Sequence, residues 1–94
     1  MTYQREREFV MEKNNEKTVY LLIRTDGYSI DSEKFSSMER AKEVMKEEYE
    51  ENIPSDDYWH DNSAEKEMSY LDFNDAILYT GSDVFVWRIV AISL

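Results

Sequence analysis

The chain has no cysteine, one proline, two glycines and one histidine among its 94 residues. Each scarcity excludes something. Without cysteine there is no disulfide scaffold, no thiolate zinc site and no thiol nucleophile, and the composition suits a reducing compartment. His60 has no second imidazole and no thiolate with which to share a zinc ion. Gly27 and Gly81 both fall where a turn is expected, which leaves no glycine-rich loop to cradle a phosphate. Bases are scarce too: 11 Lys and Arg face 21 Asp and Glu, a formal net charge of −10. A surface of that sign repels the anionic backbone of nucleic acid and anionic membranes, so any charged partner is expected to be basic. Residues 1–17 lack the apolar run of a signal peptide. Residues 84–92, the longest apolar stretch, are interrupted by Arg88 and reach about half the length that crosses a bilayer. A soluble cytoplasmic protein is the expectation.

What is present supports one folded domain over residues 1–94. Apolar residues make up 41% and aromatics 14%, which argues against disorder despite the charge. The charge itself is segregated. Residues 39–75 hold thirteen carboxylates and four bases, a net of −9, against seven acids and six bases before them and one of each after.

Residues 17–25 are rich in β-branched and aromatic types and predict a strand, and Asp26-Gly27 directly after it predicts a hairpin whose return arm covers residues 28–31, with Phe35 as a later anchor. Upstream, residues 8–12 fit a strand turned at Asn14-Asn15, and residues 3–12 fit a helix equally well; residues 1–16 stay undecided. Ser36 stands three residues before Glu39, the spacing of a capping box. Met38, Ala41, Val44, Met45, Tyr49 and Ile53 then recur at helical steps until Pro54 forces the chain out of helix, so a helix is predicted over residues 37–52. Residues 55–66 show no period and predict a loop, with room for a helical turn at 64–68 and a short strand within 69–73. Residues 76–80 and 84–93 flank Gly81-Ser82-Asp83, a hairpin with a three-residue loop. The expected fold is α+β: an antiparallel sheet of four to five strands with one amphipathic helix across one face.

Alternation adds a constraint. In the last strand Val84, Val86, Val90 and Ile92 point one way, and Phe85, Trp87, Ile89 and Ala91 the other. The first strand is apolar on both sides as well. Strands of that kind need cover on both faces, and one helix covers one. The second cover falls to the N-terminal segment, to residues 54–73, or to a second copy in a homodimer.

Chemistry-bearing constellations are few. Residues 56–61 place Tyr58, His60 and Asp61 where a calcium loop needs oxygen ligands and a glycine, so that pattern is broken. His60 near Ser55 and Asp57 has no strand–turn–helix context that singles out a nucleophile. No catalytic, cofactor or metal set is expected, and the protein is read as a non-enzyme. The acids are the stronger signal. Glu47, Glu48, Glu50 and Glu51 crowd a helix end whose dipole is already negative, and Glu43–Glu47 and Glu47–Glu51 set like charges one turn apart, at about 0.2–1 kcal/mol each. Such an arrangement suits solubility or a partner. Glu43, Glu47, Glu50, Glu51, Asp56, Asp57 and Asp61 are the candidate contact surface for a basic protein, with Tyr58 and Trp59 as anchors or as a lid over the sheet edge. The helix by itself carries one net charge per ~6 Å, against one per ~1.7 Å on duplex DNA, so only helix and loop together could imitate nucleic acid.

Asp26-Gly27-Tyr28-Ser29, the Phe35-Ser36-Ser37 that leads into an acidic helix, Asn74-Asp75-Ala76-Ile77-Leu78-Tyr79 and the Val86-Trp87-Arg88-Ile89-Val90 strand follow a pattern that resembles a group of small acidic bacterial proteins. The resemblance covers most of residues 18–92 and implies an α+β fold with no activity attached. In size and acidity alone, the chain also looks like phage-encoded inhibitors of bacterial defence proteins, which would act by imitating nucleic acid charge.

Overall fold

The computed structural model describes residues 18–94, so the alternatives for residues 1–16 lie outside the described residues. Among the described residues five strands form one antiparallel sheet: β1 (Thr18–Thr25), β2 (Ile30–Phe35), β3 (Tyr70–Leu71), β4 (Asp75–Tyr79) and β5 (Val84–Ser93), in the order β2-β1-β5-β4-β3. Three helices, α1 (Met38–Asn52), α2 (Asp56–Asp61) and α3 (Ser63–Met68), connect β2 to β3. The α+β class read from the sequence is the observed one.

β1 sits inside the sheet and pairs along its full length with β5. Its turn into β2 is built by Asp26, whose carboxylate accepts from the backbone N–H groups of Tyr28 (2.9 Å) and Ser29 (3.0 Å), while Gly27 takes φ 94°. Those two bonds hold the Asp26 carboxyl below its ordinary value. Because Thr25 pairs with Ile30, the turn consumes residues 26–29. The return strand therefore starts later than expected and runs on to Phe35. At the other hairpin Tyr79 pairs with Val84, and the Thr80 N–H donates to the Asp83 carbonyl at 3.0 Å. That loop has four residues, one more than the sequence suggested.

α1 presents Ala41, Met45 and Tyr49 to the sheet, where they meet Leu22, Ala76, Leu78, Trp87 and Ile89 in a single buried cluster. Pro54 ends it as expected, with Ile53 in extended geometry. Its start differs from the expected capping box. Ser37, not Ser36, is the N-cap, and its hydroxyl accepts from the Arg40 N–H at 3.1 Å. The residue three positions on is then Arg40, so no carboxylate reaches back. Phe35 must finish β2 opposite Tyr20, which carries Ser36 past the strand and leaves Ser37 at the helix entrance.

Residues 55–66 are not the expected loop. Ser55 caps α2 by accepting from the Tyr58 N–H at 3.2 Å, Asp56 and Asp57 occupy its first turn, and α3 follows after Asn62. Trp59 packs against the same cluster as α1, and β3 extends the sheet edge. This segment is therefore used on the α1 side and at the edge. The opposite face of β1, β2 and β5 has no element over it among the described residues.

Replacing the true cap separates the two serines. Ser37→Ala is expected to lower stability by about 1 kcal/mol, whereas Ser36→Ala stays within about 0.5 kcal/mol of wild type. Urea denaturation of both variants measures this, and equal losses would place the cap elsewhere.

Candidate functional site

The side chains of the helical layer divide into those consumed by the fold and those left in solvent. Glu48 is consumed. It lies on the inner side of α1, and its carboxylate accepts two hydrogen bonds from Arg24 of β1, Nε to Oε1 at 2.9 Å and Nη2 to Oε2 at 2.6 Å. Trp87 Nε1 of β5 donates to the same Oε1 at 3.0 Å. Arg24 also reaches Asp31 (3.1 Å) and Glu33 (2.9 Å) on β2. One planar guanidinium thus joins α1, β1 and β2, as its fork geometry allows and a lysine's does not. The hydrogen bond to Glu48 and the neighbouring carboxylates push the Arg24 pKa up against the opposing effect of burial. Hydrogen bonding from Arg24 and then Trp87 holds the Glu48 carboxyl below its ordinary value, again against burial.

Beside this cluster is a cleft of about 260 Å³ bordered by Asp26, Ser29, Asn52, Phe85 and Trp87. Phe85 and Trp87 stack with ring centroids 6.0 Å apart, and Tyr49 packs on Trp87 at 5.8 Å. The strongest polar groups at the cleft, Arg24 and Glu48, are engaged with each other and with Asp31, Glu33 and Trp87. A second groove, between α2 and α3, is walled by Asp56, Asp57, His60, Ser63 and Lys66, with Trp59 as its apolar part. That lining is unlike the mostly apolar walls of small-molecule sites. Among the described residues no group of three or more His, Cys, Asp or Glu side chains could hold a metal ion.

The residues singled out from the sequence separate into two sets. Glu43, Glu47 and Glu50 follow one another along the outer side of α1, Glu51 stands beside them, and all four are exposed. Asp56, Asp57 and Asp61 are exposed on α2, three residues further along the chain. Glu43 pairs with Arg40. Among the described residues the other six carboxylates have no ion pair. Tyr58 and Trp59 are half-buried and serve as cover. The Tyr58 hydroxyl donates to Glu65 at 2.6 Å, which raises its pKa, and it stands over Gly81 in the β4–β5 loop. Lys66 lies over the Trp59 ring at 5.8 Å, and the buried Trp59 Nε1 has no acceptor among the described residues. Glu48, Arg24 and Trp87 escaped sequence reasoning as a unit. Their separations of 24 and 39 positions carry no periodic signal.

No family model matches this chain, and no curated protein or solved structure is significantly similar to it. Among the described residues no helix is long and apolar enough to cross a membrane.

Two predictions come from these contacts. Ionised Glu48 favours the folded state because its folded pKa lies below the ordinary 4.5. That contribution is complete above the unfolded value and disappears as pH falls through the folded one. Glu48→Gln is therefore expected to cost about 1–3 kcal/mol at neutral pH. It should also flatten the loss of stability on acidification below 4.5, as read by urea melts at several pH values. An unchanged acid profile would contradict it. At the loop, Gly27 and Gly81 both have positive φ, but only a side chain at Gly81 would strike the Tyr58 hydroxyl. Gly27→Ala should cost about 1–2 kcal/mol from backbone strain alone, and Gly81→Ala more. Adding Tyr58→Phe to Gly81→Ala should recover the excess, measured as a double-mutant cycle.

Proposed function

We propose that the protein is a non-enzymatic, cytoplasmic interaction module that binds a basic protein partner through the outer side of its helical layer. Glu43, Glu47, Glu50, Glu51, Asp56, Asp57 and Asp61 form the contact surface. Tyr58 and Trp59 sit at its margin, where a partner's aliphatic or cationic side chain could pack against their exposed parts.

One observation carries this reading. The last turn of α1 contains no base, although it holds Glu50 and Glu51. Carboxylates at that end oppose the helix dipole and cost about 0.3–1 kcal/mol each when unpaired. The chain does use bases where structure needs them, at Arg24 and at Arg40. A neighbouring acid that the fold requires, Glu48, is neutralised, while Glu50 and Glu51 beside it are exposed and have no ion pair among the described residues. A basic surface docked there would relieve the repulsion and speed association, and exposed charges of this kind are screened within ~8 Å at physiological ionic strength.

Affinity capture of basic proteins on the immobilised full chain tests the proposal. Binding is expected at low salt, to fade at several hundred millimolar salt, and to fall about tenfold in a Glu47→Gln/Glu50→Gln/Glu51→Gln variant, since exposed pairs contribute about 0.2–1 kcal/mol each. Capture of no basic protein at low salt, or capture indifferent to both salt and the triple substitution, would overturn it.

A further inference from the structure

The sheet face opposite the helices is apolar, nearly neutral and without a described element over it. We infer that it is the interface between two copies of this chain, packed sheet against sheet, independently of any partner on the helical side. Register places Leu21 and Ile23 of β1, Ile30 of β2, and Val86, Val90 and Ile92 of β5 on this face. Ile30 is 72% exposed and Val90 36%, and Leu21, Ile23 and Ile30 border an open groove together. Exposed single apolar residues need no explanation, but a contiguous apolar sheet face does.

Charge selects the occupant. Residues 38–68, the helical side, contain eleven carboxylates and four bases. The charged residues that register places on the open face are Lys34, Asp75 and Arg88, and Arg88 lies 3.7 Å from Asp75. Two strongly acidic chains can therefore approach each other here with little repulsion, whereas contact through the helices would set like charge against like. Face-to-face packing leaves both acidic layers on the outside of the pair, about 10 Å of stacked sheet plus two helical layers apart.

Size is consistent with this. The three strands that carry these residues, at about 4.8 Å spacing and about 3.3 Å per residue along the eight residues of β1, give a face of about 380 Å², or about 760 Å² buried in total, the size of a weak, transient interface. The dimer should therefore form and dissociate at micromolar concentrations. Edge-to-edge pairing is a poorer solution. β2 carries Asp31 and Glu33, which an antiparallel β2–β2 contact would set near the same two acids of a second copy, and β3 has only two residues.

Sedimentation equilibrium of the full chain over a micromolar range tests the inference. A reversible dimer is expected, unchanged or tightened by added salt, because apolar burial is not screened. Ile30→Lys/Val90→Lys should abolish it while leaving the far-ultraviolet circular dichroism of the monomer intact; both sites are exposed, so the fold should tolerate them. Glu50→Gln/Glu51→Gln should leave dimerisation unchanged. A monomer throughout the range overturns the inference, and nuclear Overhauser contacts between Phe9 and Ile23 within one chain would assign the cover to the N-terminal segment instead. A dimer that survives the two lysines, or that dissociates as salt is added, overturns it as well.

Discussion

The three-way contact among Arg24, Glu48 and Trp87 is the constraint on which the rest of the molecule depends. α1 could slide along a sheet lined by Leu22, Leu78 and Ile89, because apolar packing is weakly directional. Two guanidinium bonds and one indole bond converging on a single carboxylate set its register. The same guanidinium ties the β2 edge to β1 through Asp31 and Glu33. Such a cluster does not have to add much net stability. Desolvating the ions offsets much of their attraction, and its larger effect is to make misregistered packings costly, since each would strand a half-buried charge.

From that anchoring follows the segregation of the surface. With Glu48 drawn inward, the remaining acids of α1 rotate to solvent, and the short connection through Pro54 sets the acids of α2 next in line. Trp59 closes the same side of the core. The sheet is left with one face sealed by helices and acidic on its outside, and another face that is apolar and close to neutral. The two proposed contacts use these two faces, and only the acidic one is weakened by salt.

Much of the fold was legible because it rests on short-range rules. The stripe through Ala41, Met45 and Tyr49 predicted both the helix and its buried side, Gly27 and Gly81 marked the turns, and alternation in residues 84–92 separated the inner face from the outer. Where legibility failed, local signals were degenerate or too short. Ser36 and Ser37 are equally good caps, and only the pairing of Phe35 with Tyr20 chose between them. α2 and α3 have six residues each, under two turns, which is too few to show a period. The acidic run looked uniform, yet one of its glutamates has a structural task.

Sequence by itself determined the element types, the charge imbalance and the apolar character of both sheet faces, because each depends on residues close together in the chain. Tertiary structure alone decided which carboxylate is neutralised, that Tyr58 and Trp59 act as cover, and which sheet face the helices among the described residues leave uncovered. Those outcomes depend on contacts between residues 24 and 48, 48 and 87, and 58 and 81, whose meeting is set by three-dimensional packing and leaves no trace in spacing along the chain.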